Sequence, residues 1–577
     1  MTFRICEKRQ RVLDAAGHVL VIGGPGSGKT SIAIKKAVQR ICHGLSPGQE
    51  VVFLSFSRAA VARVVEASKT QVPKEQQGQL GIQTFHSFFW EILRTHGYLL
   101  GAPRRLVLLL PHDEKVLSDG IGREDAGWSM WETERLRLFH EEGKVAFDLF
   151  APMAADLLAR SSLIRNLVSA QFPLIIVDEA QDTGPDAWRC IEILSGQSQI
   201  VCLADLEQQI FDFLPGVGPE RVTQIRDRLN PLTEDLGGEN HRSPNNEIVA
   251  FGNDILTCHV RGTPYKGVSS LGYSPKAEKR DGRIRASVGM LLRMIQEETG
   301  NPPESIALLA SYDKGVTLIS SALRSEPEIH HRVLFNEAPV ALASRLTAFL
   351  LEPKGMGAEN EDIAIALELL AAANRARGTK GTLILAKKLL LSADEVRLGS
   401  SKKRTNLLRA LRAIILLLQS HRFSGDPGKD WLFVRYKLRD SGEETLRRVS
   451  HDLEYLMAFN RGRRISGNLS AIWSETGTYA RARQALDSAL AEEQILSGID
   501  DLRGIHVMTM HKSKGKQFDG VVILRETHRS PFIWPNDKSP FPKSRKVLRV
   551  AITRAKHHVL ILNPVFPNCP IISPHAL

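Results

Sequence analysis

Short, largely apolar runs recur along the chain, most of them followed by glycine, serine or acidic residues and then by apolar positions at helical spacing. They are Val19–Ile22 (VLVI), Val51–Leu54 (VVFL), Leu174–Val177 (LIIV), Gln199–Leu203 (QIVCL), Ser305–Leu309 (SIALL), Ile505–Met508 (IHVM) and Val521–Leu524 (VVIL). Runs this short, without polar alternation, are the pattern of strands buried on both faces, as in parallel sheets covered by helices. Long stretches of helical periodicity interrupt them twice. The pattern predicts an α/β protein with two parallel-sheet units, each broken by a mainly helical insertion. The first unit spans 1–87 and 171–246 around an insertion at 88–170; the second spans 247–350 and 501–577 around a leucine-rich insertion at 351–500.

Between the first run and the helix that follows it stands Gly23-Gly24-Pro25-Gly26-Ser27-Gly28-Lys29-Thr30. Glycines let successive backbone N–H groups converge on phosphate oxygens, and the next helix turns its positive end toward the same charge. Lys29 supplies a point charge for the β- and γ-phosphates, and the Thr30 hydroxyl is placed to ligate Mg²⁺. Gly-x4-Gly-Lys-Thr in a strand, loop and helix context is a phosphate-binding loop. It implies ATP or GTP binding.

Asp178-Glu179-Ala180-Gln181-Asp182 follows the apolar run LIIV. Downstream of a phosphate loop, this is the place for an aspartate that holds Mg²⁺ through its water shell and a glutamate that orients and deprotonates water. Hydrolysis is therefore expected. The other candidates have two readings each when taken singly. Gln10, just ahead of the first strand, is a surface amide or a reader of both hydrogen-bonding edges of adenine. Phe56, between two serines at a strand end, is core or a base-stacking platform. His86, in Gln83-Thr84-Phe85-His86, is structural or part of a second such loop. Gln208 lies one strand over from the acidic pair, in reach of a γ-phosphate, and Phe211 and Phe213 follow as possible stacking rings. Arg242, in Asn240-His241-Arg242-Ser243, is surface or an arginine finger.

Charge narrows the partner. The net charge of +12 and pI near 9.4 favour a polyanion, with nucleic acid the first candidate. Residues 401–450 carry twelve Lys/Arg against five Asp/Glu, and Asn406–Gln419 has apolar residues at helical spacing with Arg409 and Arg412 one turn apart. That stretch is a contact to a DNA junction or a solvated basic face. Six scattered cysteines show no metal-ligand spacing, which predicts a reduced compartment and no zinc site. The apolar run Ala413–Leu418 is too short to span a membrane and the N-terminus lacks an apolar leader, so a cytoplasmic location with no membrane partner is expected.

In order, the segments IGGPGSGKT, FLSFSRAA, QTFHS, IIVDEAQD, ADLEQQIF, NHRS, MTMHKSKGKQF and VAITRAK resemble the motif series of the UvrD/Rep/PcrA branch of superfamily 1 helicases across nearly the whole chain. The resemblance implies two RecA-like domains that clamp ATP between them. By position it makes Gln10 an adenine reader, Gly23 to Lys29 the phosphate cradle, Thr30 and Asp178 the Mg²⁺ ligands, Glu179 the general base and Gln208 the γ-phosphate sensor. His241 stands where relatives stack a tyrosine on adenine, and Gln517 where they have a glutamate near the ribose. Arg242 and Arg554 become the two arginine fingers. Phe56, Thr84, His86, Phe211, Phe213 and Lys512 fall on motifs that contact single-stranded DNA. Phe213-Leu214-Pro215-Gly216 departs from the family's tryptophan, arginine and glycine.

The expectation is an ATP-dependent DNA helicase or single-strand translocase, moving 3′ to 5′ by resemblance, acting on single strands and single/double-strand junctions. The alternative is a DNA-binding ATPase switch or remodeller that does not separate strands.

Overall fold

The computed structural model describes residues 5–575 except 25, 57, 120, 122–124, 206–219, 238–245, 275, 334–337, 378–379, 401–404, 455–459, 497–502 and 536. Its strands, in chain order, are β1 (Val19–Ile22), β2 (Val51–Ser55), β3 (Leu80–Thr84), β4 (Val107–Leu109), β5 (Lys144–Ala146), β6 (Leu174–Val177), β7 (Gln199–Ala204), β8 (Leu232–Asp235), β9 (Val268–Tyr273), β10 (Ser305–Ala310), β11 (Arg332–Val333), β12 (Gly504–Thr509), β13 (Phe518–Leu524) and β14 (Ala555–Pro564). They form a six-stranded sheet in the order β3-β2-β6-β7-β1-β8, a second in the order β11-β12-β10-β13-β14-β9, and a small β4-β5 pair. Every described pairing between these strands is parallel.

Helices cover both faces of such sheets, so central strands must be apolar throughout. β2, β6 and β10 are indeed buried along their whole lengths. Edge strands carry a weaker signal. β3 (LGIQT) reads in sequence as a loop, yet it pairs residue for residue with β2, from Val51 opposite Leu80 to Ser55 opposite Thr84, with only Leu80 buried. Parallel register brings the loops after β1, β2, β3, β6 and β7 to one edge of the first sheet, and those after β10, β12 and β13 to one edge of the second. Ligands of open α/β sheets bind at this edge.

The chain divides into two compact units. One comprises Met1–Leu93, Ala151–Phe335 and Gly498–Leu577 and contains both six-stranded sheets. The other comprises Arg94–Phe150 and Asn336–Ser497 and is helical apart from the β4-β5 pair, two short strands within a stretch that reads as helix. In this second unit Leu110 joins Leu346, Phe349, Ile363, Leu411 and Trp431 in one core. Arg345 clamps Asp113 and Asp487, and Arg375 meets Asp119 at 3.1 Å, so the two sequence stretches share both core and ion pairs.

The helix Asn406–Ser420 buries Leu411, Ile414, Ile415 and Leu418 and exposes Arg409 and Arg412, as its periodicity predicts. Each such burial contributes about 1.5–3 kcal/mol, and Thr405 caps the helix by accepting from the Leu408 N–H. Among the described residues, no helix is long and apolar enough to cross a membrane.

Candidate ATP-hydrolysis site

The phosphate loop is fixed by its neighbours. Gly23 N donates to Ala204 O (3.2 Å) at the end of β7, and Gly24 N to Gly237 O (3.0 Å) beyond β8. Gly26 and Gly28 have φ of 80° and 87°, the left-handed region that favours glycine. Gly23 is required for a different reason: a Cβ there would lie 2.5 Å from Ser27 Oγ. Gly28 caps the helix Lys29–Cys42, which opens with Lys29 and Thr30. The Lys29 ammonium donates to Gly23 O (2.5 Å) and Gly24 O (3.0 Å) and sits 3.7 Å from Asp205 Oδ2. A positive charge is thus held over the concave side of the loop.

Arg9, buried on the helix Glu7–Asp14, donates to Ser27 O at 3.0 Å and braces the loop from behind. Its neighbour Gln10 is exposed and gives its side-chain amide to Asp14 (2.8 Å). Arg9 carried no motif signal in the sequence. Pro25 lies outside the described residues.

β6 delivers the acidic pair. Asp178 N donates to Leu54 O (2.8 Å), continuing the pairing with β2, and Ser55 Oγ donates to Asp178 Oδ2 (3.2 Å). Burial, then the neighbouring Glu179 charge, pushes the Asp178 carboxyl up to about 6 against the pull of Arg63 and Lys29. Glu179 breaks out of the strand with φ of 52°, a backbone conformation unusual for glutamate and frequent at functional sites. Burial would raise its proton affinity too, but Lys514, Lys29, a hydrogen bond from Gln181 and Arg63 together hold it below the usual carboxylate range. Two adjacent carboxyls are driven in opposite directions, and Glu179 is the more readily ionised of the two. Arg63, on the helix Arg58–Gln71, has a buried Nε with no hydrogen-bond partner among the described residues, and burial lowers its own pKa.

The second sheet supplies cations. Phe518 of β13 pairs with Ala555 of β14, which sets the loop ahead of β13 against Arg554. The nearly inaccessible Arg554 guanidinium donates to Val550 O (2.8 Å), Thr553 Oγ1 (3.1 Å) and Lys516 O (3.5 Å). Gln517 is half-buried in the same loop. Lys514, three residues earlier, forms a buried ion pair with Asp182, so this loop meets the acidic segment after β6. Gln181 and Asp182 are in the acidic motif and Lys514 in the lysine-rich one, but only the fold shows that they touch.

The expected DNA-contacting residues occupy the ends of strands. Phe56 follows β2 and is 36% exposed. Thr84 ends β3 and its Oγ1 accepts from Ser87 N (3.1 Å), capping the helix Phe85–His96, while Phe85 is buried and His86 exposed. Lys512 follows β12 and is exposed. Tyr312 and His511 lie 6.2 and 5.1 Å, ring centre to ring centre, from half-buried Trp534, an aromatic group that sequence reasoning missed because its members are scattered. Gln208, Phe211, Phe213, His241 and Arg242 lie outside the described residues, as do Lys402, Lys403 and Arg404. Of the remaining basic residues in 405–450, Lys429 pairs with Asp426, Arg439 with Asp440, and Arg447 and Arg448 with Glu444.

The family model described as the UvrD/REP helicase N-terminal domain matches residues 6–137 and 134–218, and that of the UvrD-like helicase C-terminal domain matches 409–563. Relatives that match along nearly the whole of this chain include the putative ATP-dependent DNA helicase YjcD of Bacillus subtilis, 22% identical over 97% of this chain and 78% of that protein. The ATP-dependent DNA helicase PcrA of Staphylococcus epidermidis is 19% identical over 96% of this chain and 83% of that protein. DNA helicase II of Haemophilus influenzae is 26% identical over 55% of this chain and 49% of that protein. Both family models match in chain order and together cover more than half of the chain. The chain belongs to the UvrD/Rep helicases.

Proposed function

We propose that this ATP-dependent DNA helicase hydrolyses ATP at the loop of Gly23 to Thr30 and converts each cycle into 3′-to-5′ movement along single-stranded DNA, separating strands at a junction. The observation that supports this best is the meeting of Lys29, Asp178 and Glu179 from the first sheet with Lys514 from the second, because it makes the reacting end of the nucleotide sensitive to both sheets.

In this reading Lys29 and the backbone of Gly23 to Gly28 hold the phosphates, and Gln10, His241 and Gln517 meet the nucleoside. The hydroxyl of Thr30 and the buried carboxyl of Asp178, which accepts only a hydroxyl from Ser55 among the described residues, fit a hard cation. They would hold Mg²⁺, whose chemistry is to neutralise developing charge on the phosphates. Glu179 takes the proton of the attacking water. Gln208 senses the γ-phosphate, and Arg242 and Arg554 stabilise the charge that develops on it. Phe56, Phe211 and Phe213 stack on bases while Thr84, His86 and Lys512 meet the backbone.

A second reading, an ATPase that moves on or remodels DNA without separating strands, draws support from one feature. Four basic residues of 405–450 are matched by neighbouring carboxylates, which leaves less free charge there for duplex phosphates. The test that separates the two is ATPase with and without single-stranded DNA, alongside unwinding of duplexes carrying a 3′ or a 5′ tail. DNA-stimulated ATPase with unwinding only of the 3′-tailed duplex is the expected outcome. Stimulation without unwinding selects the second reading, and no stimulation rejects both.

A further inference from the structure

We infer that Gln181 and Asp182 are positioning residues for Glu179, and that Lys514 makes the orientation of this base depend on the second sheet being in place. The inference rests on the reading of Glu179 as the base and deepens it.

The geometry is a chain of contacts. Gln181 is 1% exposed. Its Nε2 donates to Glu179 Oε2 (2.6 Å) and to Asp182 Oδ2 (3.2 Å), and its Oε1 accepts from Asp205 N (3.0 Å). The amide cannot be reversed without setting its oxygen against two carboxylates, so its orientation is locked. Asp205 also carries the carboxylate 3.7 Å from Lys29, so the same link runs to the phosphate loop. Asp182 is held in turn by Lys514, across from the other sheet.

A merely structural role explains this poorly. Side chains of Lys514 and Asp182 are 8% and 1% exposed, and at that depth an ion pair recovers little more than the free energy lost on leaving water. Asp182 Oδ1 is also buried without a hydrogen-bond partner among the described residues. What the pair does accomplish is to fix how much of the Gln181 amide is available to Glu179. Without Lys514, the unpaired Asp182 carboxylate competes for that amide and draws it from the base. Without the Asp182 charge, the Lys514 ammonium turns to Glu179 itself. Either loss leaves the water-activating carboxylate misaimed while the phosphate loop stays intact.

The experiment is steady-state ATPase of the full chain with saturating single-stranded DNA, for Asp182→Asn, Lys514→Met, Gln181→Ala, Lys514→Arg and the Asp182→Asn/Lys514→Met double variant. Each of the first three should lower kcat between about tenfold and a hundredfold, the range for sub-ångström to ångström misplacement of a catalytic group. KM for ATP should stay within about twofold for Asp182→Asn and Lys514→Met, because neither touches the phosphate loop. Lys514→Arg should recover most of the rate. The double variant, with no charge left unpaired, should be no slower than the slower single one. Single effects that multiply in the double variant, unchanged kcat, or a raised KM with kcat intact would each overturn the inference. If Lys514→Met does not fold, as judged by thermal melting and binding of a fluorescent ATP analogue, the Lys514→Arg and double variants decide it. Full activity of Glu179→Gln would sink the base assignment itself; an inactive Glu179→Gln with unaffected Asp182 and Gln181 variants sinks only the relay.

Discussion

Replacing Glu179 by glutamine changes one oxygen for an amide nitrogen at the point where the mechanism places proton transfer. The exchange keeps side-chain length, and the glutamine oxygen can still accept the 2.6 Å hydrogen bond from Gln181, so the local network persists. Its left-handed φ of 52° is no better or worse suited to glutamine than to glutamate. Two consequences follow electrostatically. Lys29, Lys514 and Arg63 lose an anion they surround, and Asp178 loses the charge that, after burial, raises its pKa most. Asp178 therefore ionises more readily, and cation and nucleotide binding should hold or tighten. Loss of a positioned general base removes about 10²–10⁴ in rate, which is about 3–5 kcal/mol of barrier. DNA-stimulated ATPase of Glu179→Gln should fall by that factor while a fluorescent ATP analogue binds as tightly as to the parent. Retention of rate within about threefold, less than any removal of a working base produces, would refute the assignment.

Three further outcomes are expected. Arg554→Ala should lower kcat by about 10³–10⁵ with little change in nucleotide affinity, and Arg554→Lys should not rescue it, because one ammonium cannot reproduce the three directed contacts to Val550, Thr553 and Lys516; equal losses in affinity with normal kcat would make it an ordinary binding residue. Phe56→Ala, removing a ring 36% exposed at the end of β2, should raise the single-stranded DNA concentration for half-stimulation by about 5- to 160-fold, the equivalent of about 1–3 kcal/mol of stacking, and leave basal ATPase alone. An unchanged value would show that this exposed ring does not stack on bases. Asp182→Asn should trade stability against rate. Burial, only partly offset by Lys514, pushes the folded-state pKa of Asp182 up to about 6 from 3.8. The folded protein then binds the proton more tightly than the unfolded chain, so the penalty is absent below about pH 4, grows between 4 and 6, and is complete above. Asparagine mimics the protonated form, so the variant should melt higher than the parent above pH 6, by at most about 3 kcal/mol, with the difference vanishing toward pH 4 as measured by melting across that range. A variant that melts lower at neutral pH would refute this.

Much of this protein is determined by local sequence, because its chemistry is local. The loop from Gly23 to Thr30 is legible as a glycine turn ahead of a helix: glycines supply left-handed φ at Gly26 and Gly28, and Lys29 and Thr30 open the helix. The runs VVFL, LIIV and SIALL must be buried strands, since apolar residues on both faces leave no side for water, and the acids after LIIV then fall at the carboxyl end of β6. Edge strands escaped the sequence because half-exposed positions such as those of β3 carry no such constraint. Only tertiary structure decided which groups share a site. Arg9 rather than Gln10 braces the loop because helical phase turns successive residues to different sides. Gln181, Asp182, Arg63 and Lys514 converge on Glu179 through parallel register and the meeting of two sheets, and Leu110 and Asp113 join a helical core drawn mostly from beyond residue 336. Spacing along the chain reports which residues share a strand or a helical turn; it is silent on which loops meet, because that is set by packing between elements hundreds of residues apart, as Lys514 and Asp182 are.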